Sequence, residues 1–278
     1  ILLDEVSKIV ELDIETENGI IQTIDKVLNP STKKMHEQIL QYPELSLFGE
    51  AIMVTGLDSL LDIYEIDPNY EGNVVANMEV DGQGKPYSPA ERRQRYTVLI
   101  ETNELLANPD NNHLGISIQT VQDLEKLAQE FYGKEAPGQY KNPKNALYQY
   151  MLYHILDRQL SYTGGPGGFI MQNYSTKGGL GGEFSSEDNL PTTFDRYDYF
   201  ETMLPYSIIK VTKPFTNEAL KNEIVLNYAQ EGGTKCNNDK MQKYLNVTVL
   251  RRDESGVNDF DQKAINGALH TINKILIY

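Results

Sequence analysis

An α+β fold is what the order of signals along this chain of 278 residues predicts. Helical periodicity is confined to 31–160 and β-rich runs dominate from 199 onward, an order that suits segregated helices and strands rather than regular βαβ alternation. The third observation is a repeat: NGIIQTIDKVLNP at 18–30 returns as NGALHTINKILIY at 266–278. Asn18, Gly19, Thr23, Ile24, Lys26 and Leu28 recur as Asn266, Gly267, Thr271, Ile272, Lys274 and Leu276, with Val27 matched by Ile275. A motif that closes a domain at one end of a chain should close another domain where it occurs first. Residues 1–30 therefore read as the C-terminal remnant of an upstream domain, and 31–278 as one complete unit.

The elements follow in order. ILLDEVSKIVELDI at the start alternates as a strand pair does. Met35, Ile39 and Leu40 fall at helical spacing in 31–42, with Ser31 and Thr32 as N-cap candidates. Leu45, Phe48 and Ile52, then Leu57, Leu60 and Leu61, predict two short helices broken at Gly56, where the chain turns left-handed. The polar stretch 64–95, with Gly72, Gly82, Gly84, Pro86 and Pro89, reads as a long loop or weak hairpin. RYTVLIETN at 95–103 is a buried strand.

A helix is expected from 117 or 118 to 132, with Ile118, Val121, Leu124, Ala128 and Phe131 on one face and Gln and Glu on the other. Another runs from about 145 to 160, with Leu147, Tyr150, Met151 and His154 on its inner face. Glycine is then concentrated in 164–184. Strand signals follow at 199–213, 223–230, 245–252 and in the terminal repeat.

Composition narrows the function. Hydrophobic residues make up 40% of the chain, enough for a sizeable core, and 18 Tyr stand against 8 Phe and no Trp. A formal charge of −15 opposes a phosphate-tracking surface, and the short basic run Arg92, Arg93, Arg95 reads as a solvated turn, so nucleic acid is not expected as a partner. No stretch has the length and apolarity of a membrane span. The first residues lack the basic start and small-residue cleavage site of a signal peptide, which implies a mature or truncated chain. The single Cys236 cannot form an internal disulfide and reads as a free loop thiol.

Chemical motifs are sparse. His36, His113, His154 and His270 lack metal-ligand spacing, so neither a metal nor another cofactor is expected. His154 on an apolar helix face and His270 in an alternating strand read as buried core histidines, each held by a hydrogen bond. DPNYEG at 67–72 imitates the start of a calcium loop with Asp67, Asn69, Glu71 and Gly72, but the closing position holds Met78 where a bidentate Glu is required. Asp253, Glu254, Asp259 and Asp261 read as a solvated hairpin rather than a calcium site. No nucleophile elbow, phosphate loop or dinucleotide fingerprint occurs. The chain is expected not to be an enzyme; the alternative is a carbohydrate-active hydrolase using a carboxylate pair.

Four segments together resemble the fasciclin-like (FAS1) domain family: LFGEAIMVTGLDSLL at 47–61, YTVLIETNELL at 96–106, LYHIL at 152–156 and the terminal NG box. The first family box resembles "fTVfaPtNeAf" and appears here as Tyr96, Thr97, Val98, Thr102, Asn103 and Glu104, with Ile100 and Glu101 replacing the usual small residue and proline. The mid-chain pair is Tyr153 and His154, and the second box contains Asn266, Gly267, His270, Ile272 and Leu276. Gln22 stands at the His270 position of the first copy. The resemblance implies a β-wedge of two sheets with a helical group on one side, often in tandem copies. It also implies a non-catalytic adhesion or interaction role toward a protein partner, peptide or glycan.

Long insertions at 64–95, 108–117, 164–198 and 231–244 exceed the family's usual domain. Loop-rich, Tyr- and Asn-rich versions look like surface lipoproteins of Bacteroidetes-type bacteria. That likeness implies an extracellular or outer-membrane location, a lipid anchor outside this chain, and company in a nutrient-uptake complex. The candidate interface is the glycine-flanked loop 162–184, whose Phe169, Ile170, Met171, Tyr174 and Leu180 either fold back as a lid or project as apolar anchors.

Overall fold

The computed structural model describes residues 2–3, 7–16, 19–25, 33–68, 93–160, 195–221, 223–229, 239–250 and 263–277. Within them the chain is α+β, and two four-stranded sheets organise the body. The first runs β10 (Lys263–Ala264), β11 (Gly267–Thr271), β4 (Tyr96–Ile100), β5 (Ile155–Leu156). Its central pair is parallel, with Gly267 opposite Tyr96 and Thr271 opposite Ile100, so most of the chain forms the crossover between them. The second sheet is an antiparallel meander of β6 (Arg196–Glu201), β7 (Ile208–Lys213), β8 (Ile224–Leu226) and β9 (Val247–Val249).

Every residue of β4 is buried because both faces of its sheet are covered. Tyr96, Val98 and Ile100 turn toward the helices, whereas Leu99 turns toward the second sheet. There Leu99 joins Tyr153, Leu156, Phe200, Ile209, Val211, Val247, Val249 and Ile272 in an inter-sheet core. Bridges at Leu156–Thr202 and Val249–Ile272 bring the two sheets into register at their margins.

The helices follow the capping chemistry of the sequence more closely than its apolar periodicity. α1 (Met35–Ile39) starts after Lys34, whose N–H donates to the Glu37 carboxylate at 2.9 Å, rather than at Ser31 or Thr32. α2 (Ser46–Thr55) and α3 (Asp58–Leu61) are separated at Gly56, whose φ of 74° is left-handed as expected. α4 (Asn103–Ala107) is capped by Thr102. α5 (Val121–Tyr132) starts later than its apolar face suggests, because Thr120 Oγ1 accepts the Asp123 N–H at 3.2 Å. Ile118 precedes it in non-helical chain, yet is fully buried. α6 (Ala146–Tyr153) is capped by Asn145 and ends well before residue 160, because the chain enters β5. A short α7 (Asp239–Gln242) precedes β9.

The expectation that the Gln and Glu residues of α5 all face solvent fails at Glu125. Its buried Oε1 accepts from Asn145 Nδ2 at 2.6 Å and Gly138 N at 2.8 Å, bracing the loop between α5 and α6.

The N-terminal strands β1 (Leu2–Leu3), β2 (Ser7–Thr16) and β3 (Gly19–Ile24) form a separate antiparallel sheet in that order. The β2–β3 ladder is irregular between Ile9 and Ile14. Asp13 takes a positive φ of 55° there, and Gln22 ties it down by donating to Asp13 Oδ1 at 2.7 Å and accepting from Asp13 N at 3.2 Å.

Two expectations follow. A Cβ on Gly267 would overlap the Tyr96 carbonyl oxygen and Met35 Cε, and a strand backbone cannot move aside. Gly267→Ala should therefore cost about 3 kcal/mol, read from denaturant midpoints. The second concerns alkali. Burial, followed by the charges of Asp157 and Asp67, pushes the Tyr96 phenol from 10.0 up to about 12. Burial also raises Tyr150, with the Glu101 charge second, and raises Tyr244. These groups keep their protons longer when folded, so their stabilisation is complete below pH 10 and is lost as the pH rises from 10 to about 12. Burial raises Tyr140 as well, whereas it lowers Lys274 from 10.5, which acts in the opposite sense, one group against four. Melting temperatures should hold up to about pH 10 and then fall in step with tyrosinate absorbance.

Candidate functional site

The arrangement that most resembles a catalytic centre is a carboxylate–imidazole pair at the end of β4. Glu101 follows the strand directly, and the last turn of α6 carries Tyr150 and His154 four residues apart on one face. Glu101 Oε1 accepts from the Tyr150 hydroxyl at 2.8 Å, His154 Nε2 at 2.8 Å and Leu276 N at 3.0 Å. His154 Nδ1 faces the Tyr150 carbonyl oxygen at 2.8 Å. Both ring nitrogens thus lie within hydrogen-bond distance of an oxygen, which fixes the orientation of the ring.

Glu101 and His154 are both 0% exposed. Phe48 stacks its edge against the imidazole at 5.6 Å between centroids, and Tyr153 closes another side. A substrate has no approach to these atoms, and the cluster works as a clamp joining β4, α6 and the C-terminal segment.

The other residues of the sequence boxes are also engaged in the framework. Asn266 is fully buried; its Oδ1 accepts from Met35 N at 3.0 Å, and its Nδ2 donates to the carbonyls of Leu61 at 2.5 Å and Ile63 at 3.1 Å. The Tyr153 hydroxyl accepts from Asn227 Nδ2 at 3.0 Å. His270 is partly exposed rather than fully buried, and its Nε2 donates to the Leu160 carbonyl at 2.7 Å. Away from these, His36 contacts Asp62, and His113 Nδ1 lies 2.7 Å from the Tyr244 hydroxyl. The four histidines are dispersed, and among the described residues no group of three His, Cys, Asp or Glu is placed to hold a metal ion.

Phe169, Ile170, Met171, Tyr174 and Leu180 of the candidate interface loop lie outside the described residues, as do Cys236, Met78 and the acidic run from Asp253.

Sequence reasoning passed over the exposed apolar surface of the β6–β7 hairpin. Tyr197 and Tyr199 alternate outward on β6, 45% and 47% exposed, with their rings edge to face at 5.8 Å. Tyr199 pairs with Lys210 and Glu201 with Ile208 across the ladder, and Lys210 Nζ lies 4.8 Å from the centre of the Tyr197 ring. At the tip, Ser207 N donates to the Leu204 carbonyl at 3.1 Å, closing a turn with Pro205 second and Tyr206 third. Tyr206 has φ +63° and is fully exposed.

The third position of such a turn favours glycine, and a tyrosine held there costs about 1 kcal/mol. The turn is fixed beneath it: the Thr202 and Ser207 hydroxyls hydrogen-bond each other, and Thr202 N donates to the Ser207 carbonyl at 3.1 Å. The legible signal was Pro-Tyr in a tight turn lacking glycine, beside two tyrosines at strand spacing.

His154→Ala should lower stability by about 3 kcal/mol, because it opens a cavity and leaves the buried Glu101 carboxyl without that hydrogen-bond partner. Chemical denaturation measures this. A double-mutant cycle with Glu101→Gln should show strong coupling between the two positions.

No protein-family model matches the chain, and no curated protein matches it. Among solved structures it is similar to a FAS1 domain pair from the insect cell adhesion molecule Fasciclin I, at 13% sequence identity and a TM-score of 0.38. That match covers 98% of this chain and 60% of the other, so the chain spans about three fifths of the length of the protein it matches.

Proposed function

We propose that this chain is a non-catalytic, FAS1-like interaction module at the cell surface, and that it binds a protein partner through the tip and outer face of the β6–β7 hairpin. The observation that carries the reading is Tyr206: a full aromatic side chain displayed to solvent from a backbone conformation that disfavours it, on a turn held rigid from below. Tyrosine presents a large contact area at low entropic cost, and an aromatic cluster is the usual energetic centre of a protein interface. Support for the FAS1 assignment comes from the sequence boxes and from their positions at the junction of helices and sheets. Support for a role without catalysis comes from the burial of the carboxylate–imidazole pair.

Under the same reading, 31–278 is the unit itself and 1–30 is the tail of a preceding one. The glycine-flanked loop 162–184 supplies a second anchor. The finer placement is as a lipid-anchored accessory protein of an outer-membrane nutrient-uptake assembly, and it rests on the Tyr- and Asn-rich insertions. No described helix is long and apolar enough to cross a membrane.

Tyr206→Gly separates display from folding. It should raise stability by about 1 kcal/mol, because glycine accepts positive φ freely, while weakening partner capture at least tenfold. The check is thermal melting beside quantitative co-purification from native membranes, with Tyr197→Ala/Tyr199→Ala and a deletion of 165–182 as companion variants. Full partner recovery by all three would dispose of the proposed surface.

A further inference from the structure

The described strands of the two NG-box copies, β3 and β11, each pair antiparallel with the strand before them but are covered differently. In each, two residues separate the paired positions and a glycine opens the second strand, with Thr16 opposite Gly19 and Ala264 opposite Gly267. In the C-terminal copy, the far edge of β11 is occupied by β4 in parallel, and Gly267 packs so closely on the Tyr96 carbonyl that no side chain fits. In the N-terminal copy, β3 ends its sheet and carries no further strand among the described residues.

The side chains show the same contrast. Ile20 and Ile21 are 61% and 52% exposed, whereas their counterparts Ala268 and Leu269 are each 4% exposed. Gly19 is the sharpest difference. A Cβ there would meet nothing within 4 Å, and its φ is not positive, so nothing in the described hairpin requires a glycine. Glycine in a strand weakens it, and it marks a bulge, a tight bend or the close approach of a ligand or another backbone, the last being its use at Gly267.

We propose that the free edge of β3 receives, in parallel, a strand of the β4 type from a preceding unit of the same polypeptide, its first residue seated over Gly19 as Tyr96 is over Gly267. This rests on the reading of 1–30 as the tail of that unit. The inference adds the partner strand's direction and register.

The test joins the sequence RQRYTVLIETNE of residues 93–104 to the N-terminus of the whole chain through a flexible Gly/Ser linker, which makes pairing intramolecular. Amide hydrogen exchange is followed in 19–24. The linked strand should slow exchange at least tenfold at the alternate amides that point away from β2. Gly19→Val should abolish that slowing while leaving the melting temperature of the unlinked chain unchanged, whereas Gly267→Val lowers it.

Absence of slowing in the linked wild type would overturn the proposal, as would slowing that survives Gly19→Val or that a scrambled strand produces equally. Protection in the unlinked chain that grows with protein concentration would overturn it in favour of a second copy. The hairpin tyrosines do not enter this measurement. Loss of β3 protection with intact partner capture faults the strand edge alone, and the reverse result faults the binding surface alone.

Discussion

The parallel pairing of β4 with β11 is the constraint on which the rest of the body depends. It joins positions near one third of the chain to positions at its end, at an entropic cost that long loops incur slowly but unavoidably. The ladder alone is short, and the side chains at its two ends secure it. At one end Asn266 gathers the start of α1 and the carbonyls that follow α3; at the other, Glu101 gathers α6 and Leu276. Gly267 lets the strands close, and the helices and second sheet then cover the two faces that the pairing creates.

The anchors are polar, and this sets register more than it adds stability. A buried polar contact adds little net stability, yet a misaligned one leaves an unsatisfied group in the core, so competing arrangements are penalised. Glu101, His154, Asn145, Glu125 and Asn266 all obey this logic. Each is buried, and each joins segments distant in sequence or braces a loop. Apolar contacts such as those of Leu99 and Phe200 supply the driving force but tolerate small shifts; the hydrogen-bonded groups do not.

Strain and exposure are placed elsewhere. Tyr206 sits at the tip of a hairpin whose inner face is packed and whose outer face carries tyrosines. Asp13 shows the same economy in the N-terminal hairpin, where positive φ in a non-glycine residue is held by a side-chain pair with Gln22.

Local chemistry in the sequence determined the class and much of the element order. Helices and strands are written as periods of 3.6 and 2, Gly56 as a left-handed stop, and β4 as an unbroken apolar run. The repeated NG box was legible, and so were Tyr153, His154 and Asn266 as residues of interest. Helix ends were misplaced because apolar periodicity continues through Ile118 and beyond His154, while a threonine cap and the entry into β5 decide where the helix can exist. Tertiary structure alone decided the rest. Glu101 looked like a departure from a family pattern until α6 placed an imidazole beside it, and Glu125 looked like a solvent residue until a loop needed its oxygen. The tyrosines of the β6–β7 hairpin became a surface only when the ladder put them on one face. Gly19 and Gly267 are the same letter in the same motif, and only the presence or absence of a neighbouring backbone distinguishes them, because close approach is a property of the assembled sheet and not of the residue.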